Sequence, residues 1–389
     1  MELAQRMARL GDETAFQVLV RARALEAQGR NVVHLEIGQP DFPTPGHIAE
    51  AAYRAILDGH TGYGPSAGLP ECREAIAEEA GAARGVEVSP DEVVVTPGAK
   101  PILFFGMLAT LNEGDEALYP DPGFPIYRSC IEFFGAKAVP VPLREANQFR
   151  LDPEEVESLV TPRTRLMIIN SAHNPTGSLL TREDCARLAE TCIRHDVLLM
   201  TDEPYRHIVY GREFVSPLSI PEMRSRTLVV DGFSKAYAMT GWRLGFGIGP
   251  RWLMPSIAQL QTNCTSCACT FAQIAGIAAL RGPQDARHAM VQEFQRRRDF
   301  IVGALNAVPG VSCVEPHGAF YAWANVGRLG LRSDELAARL LNEVGVAGLT
   351  GTSFGAQGEG YIRFSYANSL ENLQEGMRRF AEWCAALAG

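Results

Sequence analysis

The sequence predicts an α/β protein: a mostly parallel sheet flanked by helices, joined to a smaller α+β unit. Three observations carry the prediction. Through the middle of the chain, short apolar runs rich in β-branched residues alternate with amphipathic stretches, the pattern of a parallel sheet covered on both faces. The chain has 389 residues. That length corresponds to roughly two to three domain-sized units and can bury about three quarters of the unfolded surface without disulfides or a structural metal. Hydrophobic residues make up 46% and charged residues 21%, which excludes a disordered, collagen-like or fibrous chain.

The elements follow in order. The first forty residues hold one helical stretch, which leads into Gly38-Gln39-Pro40-Asp41-Phe42-Pro43-Thr44-Pro45. Strands are predicted at Val93–Thr96, Ala117–Tyr119, Leu166–Asn170, Val197–Thr201, Leu228–Asp231 and Leu244–Ile248, each a short apolar run. Helices are predicted at Lys100–Leu111 and Arg182–His195, the second opened by Thr181 as N-cap with Asp184 three residues on. The residues from Trp252 to Leu280 carry no Lys, Arg, Asp or Glu, but Gln259, Gln261, Thr262, Asn263, Ser266 and Gln273 interrupt them. They read as buried helix plus interface, not as a membrane span. Ala286–Val308 is a long charged helix whose Arg296-Arg297-Arg298 run reads as a solvated face, with a basic binding patch as the alternative. A strand at Gly318–Trp323, a helix at Glu335–Val344 and a strand at Tyr361–Tyr366 complete the smaller unit. There is no fixed-period repeat and no low-complexity tract.

Charge and cysteine usage narrow the function. Lys+Arg is 36 against Asp+Glu 45, a net charge of -9. This favours small-molecule chemistry over nucleic acid or an anionic membrane as partner. The N-terminal stretch lacks the continuous apolar core of a signal peptide. The nine cysteines, an odd number, then read as free thiols in a reducing cytoplasm. Cys264, Cys267 and Cys269 form C-x-x-C-x-C, but the nearest further ligands are Cys313 and His288. Small buried thiols are expected there and no metal site.

Four segments carry chemistry. Ser234-Lys235-Ala236 follows an apolar strand and a Gly-Phe-Ser turn, with Arg243 eight residues beyond Lys235. A lysine so placed is either a surface turn residue or a Schiff-base lysine with a shifted pKa, and Arg243 could fork a phosphate. Asn170-Ser171-Ala172-His173-Asn174-Pro175-Thr176-Gly177 is a strand-end turn on propensity alone, and also a place where an asparagine amide can hold a ligand oxygen. Thr201-Asp202-Glu203-Pro204-Tyr205 ends another strand; Asp202 either caps a turn or pairs with a protonated ring nitrogen. Thr96-Pro97-Gly98-Ala99-Lys100 runs from strand to helix N-terminus, whose free N–H groups suit a phosphate. Neither a P-loop nor a dinucleotide fingerprint is present.

In this order and spacing the segments make one complete site. The chain resembles the fold-type-I, PLP-dependent class I and II aminotransferases, in particular the bacterial aspartate-aminotransferase-like branch. The resemblance runs from about Gly38 to Phe380. It is carried by Gly38-Gln39-Pro40-Asp41-Phe42, Tyr63-Gly64-Pro65-Ser66-Ala67-Gly68, Asn174-Pro175-Thr176-Gly177, Asp202-Glu203-Pro204-Tyr205, Ser234-Lys235 with Gly241-Trp242-Arg243, and Arg363-Phe364-Ser365-Tyr366-Ala367.

The resemblance implies roles. Lys235 is the lysine that joins pyridoxal 5′-phosphate and moves the proton at the substrate Cα. Asp202 pairs with the ring nitrogen, Asn174 and Tyr205 hold the ring's 3-oxygen, and Phe124 stacks on the ring. Gly98, Ala99, Lys100, Ser234 and Arg243 surround the phosphate, and Tyr63 reaches the phosphate in a neighbouring subunit, which implies a homodimer with shared sites. Arg363 clamps the substrate α-carboxylate, with Gly38 beside it. Phe16 and Gln17, with Lys100, face the substrate side chain. It also implies a large PLP-binding domain at 46–284 and a small domain from 1–45 plus 285–389.

The chain departs from the family pattern at Ala15-Phe16-Gln17, at Leu349-Thr350-Gly351-Thr352, at His173 and at Gly232. The first two changes touch side-chain recognition. The expected activity is transfer of an amino group from an amino acid, with acidic donors favoured, to a 2-oxo acid such as 2-oxoglutarate. Aromatic or other donors are the alternative, as is a PLP lyase, cyclase or oxidase on the same scaffold. A regulatory ligand sensor would need a DNA-binding segment, and no basic recognition helix precedes the first motif.

Overall fold

The computed structural model describes residues 2–388. Its central sheet has seven strands in the spatial order Val93–Thr96, Gly245–Ile248, Thr227–Gly232, Leu198–Asp202, Thr164–Asn170, Glu116–Asp121 and Lys137–Pro142. Only Gly245–Ile248 runs against its neighbours; the other pairings are parallel. Strand residues alternate between two covered faces. Val94, Ala117, Ile168, Met200 and Val230 pack under the helices Lys100–Thr110 and Met254–Thr265. Val93, Val95, Val229 and Phe246 pack under Pro70–Arg84 and Thr270–Arg281. The six strands expected from the sequence all form. The seventh, Lys137–Pro142, lies on the sheet edge; its Pro140 and Pro142 lack donors and are tolerated there because an edge leaves donors unpaired. Thr181 forms the expected capping box: its hydroxyl accepts from the Asp184 amide at 3.1 Å, and the Asp184 carboxylate accepts from the Thr181 amide at 2.8 Å.

A four-stranded antiparallel sheet, ordered Leu349–Thr350, Tyr361–Ser365, Tyr321–Asn325, Ser312–Cys313, forms the second unit. Phe294, Ile301, Phe320, Phe364 and Phe380 fill its core against the helices Asp285–Asn306 and Leu370–Ala388. Three expectations need correction. The strand expected from Gly318 begins at Tyr321, because Ala319 takes a left-handed φ of 57°, while Gly318 pairs only as an isolated bridge with Val209 and packs too closely against Ala172 and the Ile208 carbonyl for a Cβ. The arginine run is not a solvated face. Arg296 is exposed, but Arg297 and Arg298 are buried, pairing with Asp41 and Glu293 and with Asp299 and Glu315. The charge-free stretch is two helices broken at Ser266, and no helix of the described residues is long and apolar enough to cross a membrane. Cys264 and Cys269 are exposed rather than buried, because they flank that break.

Candidate active site

The carboxyl ends of the parallel strands, the Gly38 segment and the strand Tyr361–Ser365 enclose a cavity of about 660 Å³, where open α/β sheets place their ligands. Asn170 and Asp202 are the last residues of adjacent strands, and their side-chain and main-chain groups are tied by a bond from Asn170 Nδ2 to the Asp202 carbonyl at 2.7 Å. Ser234 and Lys235 follow the next strand; Ala99 and Lys100 open the helix after Val93–Thr96.

The floor is deeply buried. The Asp202 carboxylate accepts a hydrogen bond from the Tyr127 hydroxyl at 2.6 Å. Burial raises its pKa to about 7, against the lowering effect of the Tyr127 bond. Lys235 Nζ donates to the Gly38 carbonyl at 2.5 Å. Burial, then the nearby Arg363, Lys100 and Arg243 charges, lower its pKa to about 8. Gly38 cannot carry a side chain, since a Cβ there would run into the Tyr321 hydroxyl. Arg363 is buried between the rings of Tyr321 and Phe354, 4.2 and 4.9 Å from their centroids. It donates to Asn174 Oδ1 at 3.0 Å and to the Glu36 carbonyl at 2.6 Å, while its Nε has no partner. The Tyr205 and Tyr321 hydroxyls share a hydrogen bond of 2.8 Å.

At one end, Arg243 donates to the Thr240 carbonyl at 2.8 Å and lies against Gly98, whose φ of +86° and missing Cβ leave room for the guanidinium. Gly98 stands just behind the cavity wall; Ala99, Ser234 and Gly232 are in it. At the mouth, Lys100 forms an ion pair with Glu13 and its Nζ lies 5.5 Å from the Phe124 centroid. Phe16 reaches the wall. Gln17 does not: it is exposed on the outside of the helix Thr14–Glu26, because consecutive helical residues point about 100° apart. Tyr63 is also absent from this wall, 93% exposed.

The cavity thus gathers four cations, Lys100, Lys235, Arg243 and Arg363, against the carboxylates of Glu13 and Asp202, so it suits a polyanionic ligand. Sequence reasoning missed Tyr127, Tyr321, Phe354 and Glu13. The three aromatics are buried side chains that read as ordinary core, and only their polar or cation-facing contacts distinguish them.

The sequence matches the family model described as aminotransferase class I and II over residues 30–380. It is 41% identical to a probable aspartate/prephenate aminotransferase of Aquifex aeolicus, over 97% of each chain. It is 38% identical to an aspartate aminotransferase of Geobacillus stearothermophilus over the whole of both chains. Among solved structures, an aspartate aminotransferase of Thermus thermophilus with maleate superposes with a TM-score of 0.94 at 38% identity, covering 98% of this chain and 99% of that one.

Proposed function

The chain belongs to the class I and II aminotransferases, and from that premise we propose that it moves the α-amino group of an acidic amino acid to a 2-oxo acid such as 2-oxoglutarate, using pyridoxal 5′-phosphate in this cavity. The observation that carries the reading is the buried floor that sets Lys235, Asp202 and Arg363 around one space.

The donor set fits the cofactor. Arg243, Ser234, Ala99 and the helix N-terminus beginning at Lys100 would hold the phosphate. Asp202 would hold the protonated ring nitrogen, with Tyr127 fixing the carboxylate, and the opposite charge would keep Asp202 ionised. Asn174 and Tyr205 would hold the ring's 3-oxygen and Phe124 its face. When bound, the cofactor supplies the electron sink for the substrate carbanion. The chain's own residues do the rest. Arg363 fixes the α-carboxylate through its planar fork. Lys235 Nζ, with its lowered pKa, takes the proton from the substrate Cα and returns it. Both half-reactions use the same groups in turn, which gives ping-pong kinetics.

The same proposal includes a cytoplasmic homodimer with shared sites, in which the exposed Tyr63 serves the partner's phosphate. Its exposed ring and the exposed apolar side chains Tyr53, Leu57 and Trp252 support that part, as do the nine free thiols for a reducing compartment. It also includes the division into 46–284 and 1–45 plus 285–389; the central sheet falls wholly in the first. A second reading, aromatic donors, is favoured by the apolar wall of Phe16, Phe124, Phe354 and Tyr321. Titration of the cofactor-loaded chain with single amino acids, followed by the cofactor's absorbance, tests both. Conversion by aspartate or glutamate supports the first reading, and conversion by phenylalanine alone the second. No conversion with any amino acid overturns both.

A further inference from the structure

Lys100 is the cation placed to meet a distal substrate carboxylate, yet it already has a carboxylate of its own. Glu13 pairs with it, and both side chains line the cavity. Glu13 stands at the N-cap of the helix Thr14–Glu26, but its side chain caps nothing; it is turned toward Lys100 instead. The segment is anchored on its outer side by the Gly11 amide, which donates to Ser129 Oγ at 2.8 Å. The Phe124 ring lies against Lys100, and Arg243, Lys235 and the Cys130 thiol are the further ionisable neighbours. Among the described residues no other carboxylate besides Glu13 and Asp202 lines this cavity, and Asp202 is engaged by Tyr127.

We propose that Glu13 is a stand-in carboxylate: it neutralises Lys100 when the donor side chain is apolar and gives Lys100 up to the distal carboxylate when the donor is acidic. The proposal rests on the reading of the cavity as an aminotransferase site and adds a specificity-determining residue to it. The physical argument is one of exchange. An ammonium left without a partner against an apolar side chain in a partly desolvated pocket is costly. Swapping one carboxylate for another on the same ammonium is close to even, because both are charge-assisted pairs. Glu13 therefore helps apolar donors and competes with acidic ones, and discrimination is the difference between the two.

The experiment uses the cofactor-loaded full chain and two ligands that do not react: maleate, a dicarboxylate, and 3-phenylpropionate, an aromatic monocarboxylate. Binding of each is measured by calorimetry in the wild type, Glu13→Gln, Lys100→Ala and the double variant. With the Glu13 charge removed, maleate should bind roughly fivefold tighter and 3-phenylpropionate roughly fivefold weaker, the scale of a partly exposed ion pair. In the Lys100→Ala background the opposite shifts on Glu13→Gln should vanish, since Glu13 then has no ammonium to neutralise or to give up. Shifts of the same sign, no shift, or opposite shifts that persist without Lys100 overturn the proposal. Failure of the aminotransferase reading would show separately, as no amino transfer from any donor to any 2-oxo acid by the wild type.

Discussion

The floor and the mouth of the cavity are built differently. Asp202, Asn174, Tyr205 and Arg363 on the floor are 4 to 7% exposed, whereas Phe16 at the mouth is 58% exposed and the Lys100 side chain 44%. The floor residues sit on or directly after strands whose backbone is held by the sheet ladder, and they bond one another or buried main chain. The mouth comes from the first turn of the helix Thr14–Glu26 and of the helix Lys100–Thr110, joined by a single ion pair. Rigid placement serves chemistry that is the same for every substrate. A looser, exposed wall can change its residues without disturbing that chemistry, and so the proposal places the choice of donor there.

Substitutions on the floor should therefore lower turnover for every donor alike. The largest effect is expected from Lys235→Ala, which removes the group proposed to move the proton. Turnover should fall by at least about ten-thousandfold, the upper range for general acid–base catalysis, while the cofactor stays bound without a covalent link. Steady-state rates and dialysis of the variant measure the two parts, and release of the cofactor on dialysis would place more of its binding on Lys235 than the phosphate contacts allow. Asp202→Ala should cost about a hundredfold in turnover, on the scale of one preorganised electrostatic contact, with an unchanged melting profile to within a few degrees. Near-normal turnover would remove Asp202 from its role.

The lowered pKa of Lys235 gives a smaller, graded effect. Only the neutral amine attacks the cofactor's carbonyl. Loading of the cofactor-free chain should thus quicken about tenfold per pH unit on the acid side and level off as the pH passes about 8. Stopped-flow absorbance would show this, and a rate still rising steeply above pH 10 would mean that the lysine is not buried among cations as described. The smallest effect belongs to the mouth. Lys100→Ala should raise the Michaelis constant for aspartate or glutamate by roughly fivefold, as for a partly exposed charge pair, and hardly change it for phenylalanine. Equal changes for both donors would erase the distinction between floor and mouth.

The floor was also the more legible part of the sequence. Lys235, Asp202, Asn174 and Arg363 stand in local motifs at strand ends, so their neighbours in sequence announce them. Tyr127 and Tyr321 do not. Each comes from an element whose pattern says only that it is buried, and the hydroxyl contacts to Asp202 and Tyr205 are set by packing across long stretches of chain. At the mouth, Phe16 lines the cavity and Gln17 does not, because one residue along a helix turns a side chain away from the site. Glu13 carried no signal at all: a glutamate before a helix reads as a solvated cap until Lys100 is brought to it by the fold. The same limit explains the edge strand Lys137–Pro142, whose prolines contradict strand propensity but not an edge position.

The central claim is that Lys235 is the residue that joins the cofactor. The chain has only three lysines, Lys100, Lys137 and Lys235, so borohydride reduction of the holoenzyme carrying labelled pyridoxal 5′-phosphate, followed by peptide mapping, decides among them directly. The account predicts a single labelled peptide containing Lys235. Label on Lys100 or Lys137, with Lys235 unmodified, would contradict it.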